Sequence, residues 1–451
     1  MASEHKAFAP KVPLSGRTQI HKLDAGLTSV RGAQDIITMI SERRTVTKLV
    51  LGHNDLGNEG TIVLFRFLES ALGRNYPISE ISLNSNGIKD EGLVAISRYL
   101  KENRELKELF LQGNAFTGNP AVTRAFVEAL NSSRLEIISL TTNHGLGDAF
   151  IESFMPHLNA PCLRELHISS IGLTPRSVPH IVSYIRSPER CRLHTLRCNG
   201  NSLGLRGVKS IIRAIQQKNY SLISMECWAN QLSGDNSNLP QHMSDGEEDE
   251  DEEVDETSVE VWKVCLAQLG GLRMRNEHLK KETQGQALDL LRYSRVLILR
   301  SSLRPEALAS PLEALHLRTQ AQGSEEDTRR DVFPFTHLPT ELQLSILSLL
   351  APSLSSAQRS QIFSYAADPS TLPPLLPALR RNVASCLPDP FANPALSAGG
   401  SGSLWPVNGT NRDGHCSGGQ CMGAMNAVSC NKDKERIRWL DAVGCSIYDP
   451  E

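Results

Sequence analysis

Apolar residues in the first half of the chain fall in short clusters that return at a fixed interval. Leu49, Val50 and Leu51 precede Asn54 and Leu56; Ile81, Ser82 and Leu83 precede Asn86 and Ile88; Leu109, Phe110 and Leu111 precede Asn114 and Phe116. The same order returns at Ile138 to Leu140 with Asn143, at Leu166 to Ile168 with Ile171, at Leu196 to Cys198 with Asn201, and at Met225 to Cys227 with Asn230. The asparagine position advances in steps of 32, 28, 29, 28, 30 and 29 residues, which makes seven repeats, and a degenerate eighth surrounds Ile20 to Leu27. Each triplet predicts a short strand with two inward side chains, because successive side chains of a strand point to opposite faces. Between the triplets, Leu64, Phe65, Leu68 and Leu72, or Leu93, Ile96 and Leu100, recur at helical spacing. A lone strand–helix unit cannot bury both of its apolar faces, so the units must stack, and residues 18–236 are expected to form an α/β solenoid with parallel strands. The recurring asparagine suits an amide that satisfies backbone groups left unpaired where each strand ends. Ile171 replaces it once, and an altered turn is expected there.

Beyond the repeats the pattern changes. Residues 1–17 are expected to be a flexible N-terminus and 237–257 an acidic, disordered linker. Residues 258–305 carry two apolar stripes, Val261, Val264, Cys265 and Leu269, then Leu288, Leu291, Val296 and Leu299. They predict two helices able to cover the exposed end of the stack. A polar linker over 306–331 leads to a helical region, 332–386. Residues 387–432 are rich in Gly, Pro, Ser and Asn and are expected to be disordered, and 433–451 should form a short helix that tucks Trp439 and Leu440 onto the body.

Composition refines this picture in three places. The net charge of −3 hides ten acidic residues among the twelve of 245–256; without them 47 basic residues face 40 acidic ones. The basic residues are spread without interleaved aromatics, which argues against a nucleic-acid surface. No apolar run approaches the ~18 residues of a membrane span and the first residues lack a signal-peptide core, so the expected setting is the cytoplasm or nucleus, with ten reduced cysteines. No P-loop, H-E-x-x-H or G-x-S-x-G pattern occurs, and no catalytic residue, cofactor or metal site is expected. His415, Cys416, Cys421, Cys430 and Cys445 cluster near the end, at spacings that fit no common zinc module.

The segments LVLGHNDLGNEG (49–60) and ISLNSNGIKDEG (81–92) resemble the ribonuclease-inhibitor-like class of leucine-rich repeats. That resemblance covers about half of the chain and implies a horseshoe of right-handed strand–helix units with the strands on the inner side. A protein partner is then expected along the outward side chains of the strands. These include Lys48, Val50 and His53; Glu80, Ser82 and Asn84; Glu108, Phe110 and Gln112; Ser139 and Thr141; Glu165, His167 and Ser169; Thr195, Arg197 and Asn199; Glu226 and Trp228. Phe110, His167, Arg197 and Trp228 stand out as anchors, since aromatics and arginine dominate interface energies, although Phe110 and Trp228 equally suit covering neighbouring protein surface. Glu80, Glu108 and Glu165 complete the expected face as hydrated carboxylates rather than an acid–base pair.

Two narrower resemblances add alternatives to a plain scaffold. LQGNAF (111–116) and NHGLG (143–147), followed by the acidic run, resemble loops of the Ran GTPase-activating protein family. In that family a loop asparagine arranges the catalytic glutamine of the GTPase, and Asn143 matches it here. The family's arginine-bearing insertion has no counterpart before Asn86. FTHLPTELQLSILSLL (335–350) resembles the first half of an F-box, which implies a ubiquitin-ligase adaptor as partner. Its matching residues are Leu338, Pro339, Glu341, Leu342, Ile346 and Leu347, with Pro339 expected in the first helical turn and Leu342, Ile346, Leu349 and Leu350 on one face.

Overall fold

In the computed structural model, the described residues are 18–230, 258–302, 335, 338–371 and 432–450. The chain divides into two compact units, residues 1–279 and 280–451, and the division falls inside one helix.

The first unit is a leucine-rich-repeat solenoid. Its strands are β1 (Gln19–His21), β2 (Lys48–Val50), β3 (Glu80–Ser82), β4 (Glu108–Phe110), β5 (Ile137–Ser139), β6 (Glu165–His167), β7 (Thr195–Arg197) and β8 (Ser224–Glu226). They pair in parallel, each with the next in sequence, in one open eight-stranded sheet. The connecting helices are α1 (Ser29–Ser41), α2 (Gly57–Glu69), α3 (Asp90–Leu100), α4 (Pro120–Ser132), α5 (Gly147–Phe154), α6 (Val178–Ile185) and α7 (Gly204–Lys218), with a 3-10 turn at Pro175–Ser177 ahead of α6. The register stacks like on like: Leu49 faces Ile81, which faces Leu109, then Ile138, Leu166, Leu196 and Met225. All but Met225 in that row are fully buried, as are Leu51, Leu83, Leu111 and Leu140 one row further. Each such side chain contributes about 1.5–3 kcal/mol, so the burial shared between neighbours stabilises the stack.

The asparagine ladder forms as expected. The Asn114 amide donates to the carbonyls of Leu83 and Leu111, both at 3.0 Å, while its oxygen accepts from the N–H groups of Asn86 and Ile88, both at 3.1 Å. One side chain therefore ties its own strand end to the turn of the repeat before it. The residue ahead of the ladder position has positive φ throughout: His53, Ser85, Gly113, Thr142, Ser170, Gly200 and Ala229. Only two of the seven are glycine, which is why this conformation is hard to see in the sequence. The expected irregularity at Ile171 lies one repeat earlier. The turn at Ile171 itself is capped, with its N–H and that of Leu173 given to the Asn201 oxygen at 3.1 Å. Ile171 has no amide to offer the preceding turn, and there the Leu146 N–H bonds the Asn143 carbonyl at 3.1 Å instead.

A single helix, α8 (Ser258–Ser302), replaces the two expected from the stripes. Gly270 and Gly271 do not interrupt it, because both face open space and the flanking residues are good helix formers. Its first half closes the end of the stack, with Cys265 buried and Trp262, Leu269 and Leu272 packed on the core. Arg275 donates to the carbonyls of Ile215, Gln216 and Asn219 at the end of α7, sharing the Ile215 carbonyl with the Asn219 N–H. Asn276 donates to the Leu222 carbonyl at 2.7 Å.

In the second unit, the later part of α8 packs with α9 (Thr340–Ser348), α10 (Ser356–Ala367) and α11 (Lys432–Ala442). Its core holds Ala287, Leu290, Leu347, Leu354, Ile362, Leu440 and Val443. α11 ends at Ala442, short of the expected 433–451, with Leu440 buried and Trp439 edge-on to Tyr365 at 6.0 Å. Pro339 is the N-cap of α9 rather than part of its first turn. Cys445 is a buried core residue; His415, Cys416, Cys421 and Cys430 lie outside the described residues, as do 1–17, 237–257 and, of the expected disordered segment 387–432, all but Lys432, which opens α11. Among the described residues, no helix is long and apolar enough to cross a membrane.

Asn114→Ala is expected to lower the unfolding free energy by about 3 kcal/mol in urea titration, because it strands buried carbonyls and N–H groups of two repeats at roughly 1–3 kcal/mol each. A loss under about 1 kcal/mol contradicts the ladder's role.

Candidate functional site

The sheet face opposite the core is built from alternate strand residues. One row runs Lys48, Glu80, Glu108, Ile137, Glu165, Thr195 and Ser224. The next runs Val50, Ser82, Phe110, Ser139, His167, Arg197 and Glu226. Ile137 belongs to the first row and interrupts the glutamates; the 29-residue step from Glu108 would have located it. His53, expected on this face, instead sits in the turn with positive φ.

Most charges here are internally satisfied. Lys48 pairs with Glu80, and Arg197 pairs with Glu226 at 3.0 Å while Glu226 also accepts from Asn199 at 2.9 Å. Gln112 donates to the Ser139 hydroxyl at 2.9 Å. Such exposed pairs contribute little to stability, but they leave few groups seeking a partner.

Glu108 is the exception. It stands directly opposite Glu80 in register, and no hydrogen bond or ion pair reaches its carboxylate among the described residues. Partial burial, and then the neighbouring Glu80 carboxylate, pushes the Glu108 carboxyl above its ordinary range, with Lys48 opposing. Two residues along, Phe110 is half-buried between register neighbours that are both serines, Ser82 and Ser139. An aromatic ring and an uncompensated carboxylate thus share one strand.

Three expected site residues are placed differently. His167 is buried, its Nε2 3.2 Å from the Glu165 carboxylate. Burial first, and then the Arg197 guanidinium opposite it, hold its imidazole below the ordinary range. It is therefore part of the sheet rather than an anchor; protonation costs the folded state, so its contribution to stability is lost as the pH falls below about 6.5. Asn143 is fully buried, its amide donating to Leu111 and Leu140 carbonyls at 3.0 and 2.7 Å. Such a side chain serves the ladder and does not reach an incoming protein. Trp228 is half exposed and packs edge-on against Trp262 of α8 at 5.5 Å, so it also belongs to the end cap. The two indoles border a cleft of about 260 Å³ with Met225, Leu266, Leu269 and Arg273. Trp262 was not singled out in the sequence, although it is one of only four tryptophans.

On α9, Gln343 and Leu347 face the core, and Gln343 donates to the Leu338 carbonyl at 2.8 Å. Leu342, Ile346, Leu349 and Leu350 are all exposed, so the apolar face noted in the sequence points away from the described core. Glu341 and Pro339 are also exposed, and Leu338 is half-buried.

Glu108→Gln tests the electrostatics of the sheet face. A folded-state carboxyl pKa above its unfolded value means that ionisation penalises folding, from about pH 4.5 upward. The variant is expected to be more stable than the parent at pH 7 by about 0.5 kcal/mol, the scale of a like-charge cross-strand pair, and the gain should vanish near pH 4. Melting curves at the two pH values decide it; an equal gain at both refutes this account.

A family model described as Leucine Rich repeat matches residues 43–65 and 77–97. Among curated proteins the chain is similar to human NACHT, LRR and PYD domains-containing protein 13, 24% identical over 223 residues, which is 43% of this chain and 21% of that protein. NACHT, LRR and PYD domains-containing protein 3 of Macaca mulatta is 31% identical over 81 residues, 18% of this chain and 8% of the relative; the Bos taurus protein of the same name is 32% identical over 89 residues, 20% and 8%. The chain thus matches about a fifth or less of the length of these relatives. Leucine-rich repeats generally mediate protein–protein interaction, and these carry the inward ladder and open sheet face from which such binding is built.

Proposed function

We propose that this chain is a non-enzymatic intracellular scaffold or adaptor that binds a protein partner along the sheet face of a ribonuclease-inhibitor-like solenoid. The observation that carries this reading is the pairing of Phe110, half-buried between two serines, with Glu108, a carboxylate without an ion-pair partner among the described residues. A partner that offers a lysine or arginine beside an apolar side chain would remove the like-charge strain and cover the ring in one contact. Free thiols at Cys191, Cys198, Cys227 and Cys265 suit the reducing setting that this reading assigns.

A second reading is favoured by one observation, the exposed apolar side chains Leu342 and Ile346 of α9 with Leu349 and Leu350 in the turn that ends it. On an F-box-like segment those side chains would meet a ubiquitin-ligase adaptor, and the repeats would select the substrate.

Affinity purification with mass spectrometry identifies the partner. Phe110→Ala and Glu108→Lys are each expected to weaken it at least tenfold, about 1.4 kcal/mol, with melting midpoints close to the parent's. Unchanged binding by both variants removes the sheet-face reading. For the second reading, Leu342→Asp with Ile346→Asp should abolish co-purification of a cullin adaptor while the repeat partner is retained. A parent chain that recovers no adaptor rules it out.

A further inference from the structure

The outer, helical side of the solenoid changes character along its length. The exposed faces of α2 to α4 mix basic residues with acidic ones such as Glu59, Glu91 and Glu128, and α5 carries Asp148 and Glu152 without a basic residue. From Pro175 through Ile185, and again along α7, there is no acidic residue at all. α7 instead presents Arg206, Lys209, Arg213 and Lys218 to solvent, the first three spaced by three and four residues on one helical face. None of these four side chains makes an ion pair among the described residues. The opposite face of α7 buries Val208, Ile211, Ile212 and Ile215, so the basic residues are free of any packing duty.

The chain itself carries the matching charge. The ten acidic residues of 245–256 end two residues before α8 begins. α8 lies along α7 in the same direction: the Cys265 thiol is within electrostatic reach of Lys209, and Arg275 donates to the Ile215 and Gln216 carbonyls ten residues later. At 1.5 Å per residue, the start of α8 is about 10 Å ahead of Cys265, toward the end of α7 that holds Arg206. Fourteen residues separate Asn230 from the run, a reach of about 45 Å when extended.

We propose that the basic face of α7 is a docking surface for the chain's own acidic run, residues 245–256. Single exposed ion pairs are weak, but several made at once by a tethered segment gain from an effective concentration of roughly millimolar. The contact is sensitive to salt and to modification of the run, and any external acidic protein must displace it. It lies on the helical side and does not depend on Phe110 or Glu108.

The test uses the full chain, a second full chain with the ten carboxylates of the run changed to Asn or Gln, and a fluorescent peptide of residues 243–257. The peptide is expected to bind the neutralised chain at least tenfold more tightly than the parent, whose surface is already occupied. Binding should fade between about 0.05 and 0.5 M salt. Adding Arg206→Gln, Lys209→Gln and Arg213→Gln should lower it at least tenfold with an unchanged melting midpoint. Equal binding to parent and neutralised chains, or binding that survives the triple substitution, overturns the proposal. So does a neutralised chain that takes anionic vesicles or duplex DNA but not the peptide. Carbodiimide should cross-link the run of the parent to Lys209 or Lys218 within a monomer, and a cross-linked dimer alone would assign the surface to a second copy instead.

Discussion

The whole solenoid rests on one constraint: no repeat can satisfy its own strand, turn and helix without the next. Three-residue strands have too few hydrogen bonds to stand alone, and their inward leucines need a neighbour above and below. The amide ladder makes the same demand in polar terms. Asn114 joins the strand ends of two repeats to the turn of the earlier one, so displacing a repeat breaks buried hydrogen bonds as well as apolar contacts. Inter-repeat caps follow the same rule. Asn58 of α2 accepts from the N–H groups of Lys89 and Gly92 at the start of α3, and Asp148 of α5 accepts from the N–H of Thr174 ahead of α6.

That constraint decides what is left for function. Inward residues are committed to the ladder, so only alternate strand positions can vary, and nearly all of those are small or charge-paired. Lys48–Glu80 and Arg197–Glu226 give the sheet face an internal electrostatic order that an arriving protein would have to improve upon. Glu108 is the position where that order is incomplete. Its strand, in the third of the seven repeats, carries both that carboxylate and the aromatic ring, so the proposed recognition chemistry is local to one strand.

The repeat register was legible because it obeys spacing alone. Residues 49–51, 81–83 and 109–111 declare the strands, and the amides at 54, 86 and 114 declare the turns. What stayed hidden depends on neighbours from distant sequence. The register already marked Asn143 as a ladder rung; what spacing could not give is the full burial that follows from its bonds to the Leu111 and Leu140 carbonyls. His167 reads as an exposed strand residue until Glu165 and Arg197 close around it. The stripe Leu342, Ile346, Leu349 and Leu350 has the period of a core helix, yet helical spacing states only that four side chains share a face, not what that face meets.

The ends of the stack pose a last problem, since a terminal repeat has the same unmet needs with no repeat beyond it. At the C-terminal end α8 answers both: its apolar residues cover the last repeat, and Arg275 and Asn276 take up carbonyls that a further repeat would have bonded. Trp228 is drawn into this solution through its edge-on contact with Trp262. Half of that indole remains exposed, and its contact with Trp262 fixes the orientation of the ring. The cap and the end of the sheet face thus meet at the two indoles, Trp228 from the last repeat and Trp262 from α8.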